Sequence, residues 1–195
     1  MSTRDQMDQG TKLFLDAVTS LDEEAFDEAT ALPGWTRAHV IAHVHYNAGA
    51  LRQLLHWART GEETPMYSSP EQRNAEIEGG ASLPAGELRV LVRESAEALA
   101  AGLDAMPADA WTNTVRTAQG RSVPATEIPW MRTREVAVHA FDLGTGITFD
   151  DLSGAVNSAL VLDVVNKRIA AGEAGVLAQW LTGRTTGVPP LGPWL

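Results

Sequence analysis

The stretch REVAVHAFD, Arg134 to Asp142, carries a glutamate, a histidine and an aspartate at helical spacing. With about 100° per residue and Glu135 set at zero, His139 falls near +40° and Asp142 near −20°. Ile128 near +20°, Met131 near −40° and Val138 near −60° share that arc, so two acids and an imidazole point where the apolar residues point. A carboxylate buried without a partner costs on the order of several kcal/mol, so it needs a counter-ion, a proton or a metal. Two readings fit. One is an ordinary Glu135–His139 pair at i,i+4, or a bundle rotated so that the stripe is partly wet. The other is a metal centre with Glu135 and His139 as ligands.

A second helix bears on the choice. Its apolar stripe is Val40, Val44, Ala48, Leu51 and Leu55. His43 lies about 100° and Asn47 about 60° from the centre of that stripe on one side, and His45 about 100° on the other. His39 and His56, roughly 140° and 120° away, read as solvated surface histidines. Spacing alone hardly separates His43 from His45. Asn47, one turn on, gives His43 a polar neighbour on the same inward edge, which favours His43. Two imidazoles and one carboxylate make a set that zinc accepts while keeping a fourth position open for chemistry. Iron(II) accepts the same set. The pattern is not H-E-x-x-H, because here the glutamate is itself a candidate ligand. Asp142 reads either as an acceptor that orients a ligating histidine or as a solvated acid at a helix end.

These residues need helices to position them. Residues 3–21 are amphipathic, with Met7, Leu13, Phe14, Ala17, Val18 and Leu21 at helical intervals. Pro33-Gly34 marks a turn, Thr36 suits an N-cap, and the helix that follows runs to about Ala58. Residues 60–84 form a long connection, of a length often tied to function, in which Ser69-Pro70 opens a short helix and Gly79-Gly80 ends it. A third long helix spans about 85–105. Residues 107–126 are mixed, with a turn at AQGRSVP, and the fourth long helix runs over about 127–143. A helical region over about 151–171, a short helix in AGVLAQWLTGR and an irregular tail follow. There is no repeat and no convincing series of strands. The pattern predicts a mainly α protein, a four-helix bundle over 1–146 with a short, mostly helical C-terminal extension over 147–195.

Composition narrows the function. The 195 residues carry a formal charge of −10 with no basic run, which argues against nucleic acid, whose phosphates call for Lys and Arg. There is no cysteine, hence no disulfide, no Cys-ligated zinc and no Cys nucleophile. Any thiol chemistry must use a thiol brought by a small molecule. No apolar run approaches the roughly 20 residues of a membrane span, and the polar start MSTRDQMDQGTK is no signal peptide, so a cytoplasmic protein is expected.

Three segments carry a family resemblance: LPGWTRAHVIAHVHYNAGAL, GEETPMYSSPEQRNAEI and TAQGRSVPATEIPWMRTREVAVHAFDLG. They resemble the mycothiol-dependent maleylpyruvate isomerases, members of the DinB-like metal-binding helical bundles, over most of residues 30–148. The resemblance implies zinc held by His43, Glu135 and His139, with mycothiol as the thiol. It also implies a functional arginine in a GR motif near the end, matched here by Arg184 of WLTGR. Arg121 and Arg132 are weaker candidates for a substrate carboxylate, since either alone reads more readily as an ordinary surface arginine. The family's C-terminal lobe is longer and contains strands, whereas this chain passes from KRIAAGEAG almost directly to VLAQWLTGR. The implied activity is cis–trans isomerisation of maleylpyruvate to fumarylpyruvate by reversible thiolate addition. The alternatives are a mycothiol S-transferase acting on a different electrophile and a binding module with a structural metal.

Overall fold

The computed structural model describes residues 2–187. The chain divides into two compact units, the first ending at Asp151 and the second beginning at Leu152. The first holds α1 (Thr3–Ser20), α2 (Arg37–Thr60), α3 (Pro70–Ala81), α4 (Ala85–Asp104) and α5 (Ile128–Asp142), with a small hairpin of β1 (Thr114–Arg116) and β2 (Ser122–Pro124). The second holds α6 (Gly154–Ala170) and α7 (Ala174–Leu181). Among the described residues no helix is long and apolar enough to cross a membrane.

The helix ends follow local chemistry. Ser2 caps α1 by accepting from the Asp5 N–H at 3.1 Å, while the Asp5 carboxylate accepts from the Ser2 N–H at 2.8 Å. Ser69 caps α3 by accepting from the Gln72 N–H, and Pro70 supplies the pre-set φ of a first turn. Gly61, at φ +78°, closes α2 in the left-handed conformation.

In the first unit α1 lies against α5, and α2 packs against α3, α4 and α5. The four long helices expected from the pattern form this bundle. Its core is two apolar clusters. Phe14, Val18, Val40, Ile41, Val44, Leu88, Val136 and Leu143 form one. Met7, Leu51, Leu54, Leu55, Leu99, Leu103, Ile128 and Met131 form the other. Along both α2 and α5 the polar residues Asn47 and Arg132 fall where one cluster gives way to the next.

One expectation is corrected. Gly79-Gly80 does not end α3, which runs to Ala81. Gly80 serves close packing instead, since a Cβ there would stand 2.8 Å from the Ala42 Cβ and 3.0 Å from the Tyr46 ring. The mixed region 107–126 holds a hairpin with Thr114 opposite Pro124, turned at Gly120 with φ +80°. Its strands are three residues each, too short to leave an alternation in the sequence. The hairpin is closed at its open end and tied there to α2. The Asn113 amide donates to the Ala58 carbonyl at 2.7 Å, and the Ala125 N–H donates to the Asn113 carbonyl at 3.0 Å. That seam sets where α5 begins, and so where Glu135 and His139 face.

Candidate metal centre and its surroundings

The N-terminal third of α2 and the C-terminal half of α5 bring three side chains together. His43 Nε2 lies 2.8 Å from Glu135 Oε2, and His139 Nε2 lies 3.5 Å from the same oxygen. One ligand atom from each residue falls within 4.8 Å of the other two. No other set of three His, Cys, Asp or Glu side chains is gathered this way among the described residues. The His43 and His139 rings meet edge-on with centroids 4.9 Å apart. His139 Nδ1 lies 2.8 Å from Asp142 Oδ2. A neutral ring that donates there keeps its Nε2 lone pair turned inward, the usual arrangement of a ligating histidine.

The electrostatics are those of a buried charge cluster. Burial pushes Glu135 upward, yet the hydrogen bonds of His139 and His43 outweigh it and hold the carboxyl well below its usual range. Burial pulls His139 down, but Asp142 and Glu135 together push it up to about 9. His43 is shifted down, chiefly by burial. An ionised carboxylate between two imidazoles suits a divalent cation: oxygen and nitrogen donors, one negative charge and three ligands that leave a position open. The residues present therefore fit the metal that the sequence suggests.

The other candidates fall in distinct places. Asn47 is buried but turns to Arg132, accepting from its Nη1 at 3.0 Å. Arg132 is itself buried, with 2% exposure, and donates to the Val44 carbonyl at 2.7 Å, so it cross-links α5 to α2. Burial lowers this guanidinium to about 10 despite the nearby Glu135 and Tyr67. Arg121 is exposed at the hairpin turn, where its backbone pairs with Thr117. Arg184 belongs to the second unit, just past α7. It is exposed, its N–H donates to the Gln179 carbonyl, and its Nη1 donates to the Thr182 carbonyl.

The remaining histidines separate clearly. His45 turns toward α4, its Nδ1 3.0 Å from the Leu91 carbonyl. His56, also expected in solvent, is half-buried, with its Nε2 3.7 Å from Glu62 Oε2. His39, expected in solvent, is half-buried instead, because it is the residue that closes the start of α2. Its Nδ1 accepts from the Thr36 N–H at 3.2 Å.

Three neighbours were not singled out from the sequence. Trp35 lies with its ring centroid 5.4 Å from that of His43. Arg73, on α3, places Nη2 3.3 Å from His43 Nδ1, and its guanidinium stands 5.9 Å from the centroid of the Tyr67 ring. Burial pushes the Tyr67 hydroxyl up. Tyr67 and Arg73 both come from the long connection over 60–84, whose length was the available signal. Tyr67 also borders a groove of about 990 Å³, shared with Tyr46, Arg52, Gln53, His56 and Gln72.

Comparison with known proteins identifies the family. The family model described as the mycothiol maleylpyruvate isomerase N-terminal domain matches residues 7–144. A solved structure of the mycothiol-dependent maleylpyruvate isomerase superposes with a TM-score of 0.84 at 43% identity, covering 88% of this chain and 73% of its own. A histidine-to-alanine mutant of that isomerase superposes with a TM-score of 0.81, also at 43% identity, covering 85% of this chain and 70% of its own. No curated protein matches. The chain belongs to the family of mycothiol-dependent maleylpyruvate isomerases, which are enzymes.

Proposed function

We propose that the protein isomerises maleylpyruvate to fumarylpyruvate with mycothiol as the nucleophile, at a zinc site held by His43, Glu135 and His139. The observation that carries this reading is the convergence of those three side chains within 4.8 Å, in a chain 43% identical to a mycothiol-dependent maleylpyruvate isomerase.

In the reaction a thiolate adds to the cis double bond and the electron pair moves into the conjugated carbonyl as an enolate. Rotation about the new single bond follows. The enolate then re-forms the double bond in trans and expels the thiolate, so no atom is gained or lost. A free thiol of pKa about 8.5 is only about 3% ionised at pH 7, so full ionisation is worth up to about 30-fold. His43, Glu135 and His139 would hold the zinc, and a thiol coordinated there would lose its proton, which would supply that ionisation. The protein supplies position and charge. Asp142 orients His139, and Glu135 stays ionised between the imidazoles. Trp35 and Tyr67 shield the cluster from water, and the groove beside Tyr67 offers polar side chains to the body of a small thiol.

Purified protein should leave maleylpyruvate unchanged, and adding mycothiol should start isomerisation. Turnover at a comparable rate without thiol rules the mechanism out. A mycothiol adduct formed irreversibly on another electrophile, with no isomerisation of maleylpyruvate, selects the S-transferase instead.

Arg184 is proposed to bind a substrate carboxylate, which its fork matches bidentately. Arg184→Ala should then lower kcat/KM at least about tenfold, the equivalent of a charge-assisted contact of about 1.5–3 kcal/mol. Bound metal, measured by elemental analysis, should not change. Arg184→Lys should recover part of the loss. Full activity in Arg184→Ala removes this residue from the site.

A further inference from the structure

We propose that Arg73 is a substrate-binding cation of this site, taking one carboxylate of a dicarboxylate substrate beside His43; the proposal rests on the isomerase reading for the identity of that substrate. Four observations lead to it.

The first is a charge count. Glu135 and Asp142 bring two negative charges to the cluster, which cancel a divalent cation. A dianionic substrate then meets no net positive charge from the centre itself. Another cation has to stand close by.

The second is access. Arg132 is near in sequence but sealed, its Nη1 donating to the Val44 carbonyl and the Asn47 amide oxygen. Arg73 is half-buried at the edge of the cluster, its Nη2 3.3 Å from His43 Nδ1.

The third is that Arg73 is held weakly. Its Nη1 reaches the neighbouring Asn74 Oδ1 at 3.3 Å, and its guanidinium lies over and hydrogen-bonds to Tyr67. Among the described residues no carboxylate pairs with it. By contrast Arg4, Arg37 and Arg168 each have an Asp or Glu partner. A guanidinium without a carboxylate, next to a site for a dicarboxylate, is a fork with its natural partner missing.

The fourth is the direction of the His43 bond. Arg73 can only donate, so His43 Nδ1 must accept from it, with Nε2–H directed at Glu135. When Nε2 serves as a metal ligand, the neutral ring carries its proton on Nδ1 and offers Arg73 no acceptor. The guanidinium is then released from His43 at the point where a substrate carboxylate arrives.

Two measurements other than turnover test this, with zinc and maleate as the probes. Zinc affinity is read by competition with a chromophoric chelator. Removing a nearby positive charge and a donor that competes for His43 should tighten zinc several-fold in Arg73→Ala. Maleate binding to the zinc-loaded protein is read by calorimetry and should weaken at least about tenfold in Arg73→Ala, with partial recovery in Arg73→Lys. Weaker zinc binding in Arg73→Ala would show that the arginine merely props His43 and would overturn the proposal. So would maleate affinity that is unchanged, or a wild-type protein that binds no maleate. If both arms behave as expected but wild type shows no mycothiol-dependent isomerisation, the isomerase reading fails while Arg73 stands as the carboxylate cation.

Discussion

Alanine at His43, Glu135 or His139 is expected to abolish metal retention and turnover together while the bundle stays folded. Each replacement leaves two protein ligands. Loss of a mere orienting partner lowers metal affinity by about 10–100-fold, so loss of a ligand should exceed about 100-fold. In Glu135→Ala the loss is compounded, because the one negative charge between the two imidazoles disappears. The fold should survive because the apolar clusters on either side lose nothing. Metal content and circular dichroism check both halves of the statement. His45→Ala should keep metal and activity, and His56→Ala should keep metal, since these rings face Leu91 and Glu62. His39→Ala should also keep both, although it loses its contact with Thr36 at the start of α2. Full occupancy in Glu135→Ala or His139→Ala would remove the site from this cluster.

Arg132→Ala should damage stability rather than metal binding in the first instance. The side chain fills a fully enclosed space and satisfies the Val44 carbonyl and the Asn47 amide oxygen. Leaving a buried polar group unmet costs about 1–3 kcal/mol, and the emptied volume adds to it. A total of about 3–5 kcal/mol is a large share of the roughly 5–15 kcal/mol that holds a domain together. At about 2–4 °C per kcal/mol for a chain of this size, Tm should fall by about 6–20 °C. Arg132→Met should fall less, because it keeps most of the volume and removes the cost of a buried charge. A drop of under about 3 °C in Arg132→Ala would show that the cross-link between α2 and α5 contributes little.

Periodicity located the four long helices because each buries a continuous apolar stripe. It placed Glu135 and His139 on the inward face of α5, although α5 is enclosed on more than one side. Val136 and Ala137 face Gly10 of α1, and a Cβ on that glycine would stand 2.8 Å from Val136 Cγ2. The wheel therefore recovered one buried face of a helix that has two. It hardly separated His43 from His45, which the packing of α4 against His45 resolves. Arg73 and Tyr67 stayed hidden because they sit on a short helix and an irregular connection, where spacing carries no information about direction. Arg132 was open to reading as a surface arginine, since nothing in a single sequence tells that a guanidinium will find the Val44 carbonyl on another helix.

His43 and Glu135 are 92 residues apart in the chain. During synthesis at about 5–20 residues per second, His43 is made several seconds or more before its carboxylate partner exists. In that interval the nascent chain offers histidines but no assembled pocket, so a cation gains little by binding early. The site comes into being only when α5 docks on α2, which makes it a late, long-range event in folding. A metal that binds only this assembled form raises the stability of the folded state by mass action and leaves unfolded chains unaffected. Cellular supply of the ion would then set how much of the newly made protein persists, through protection from proteolysis as well as through catalysis.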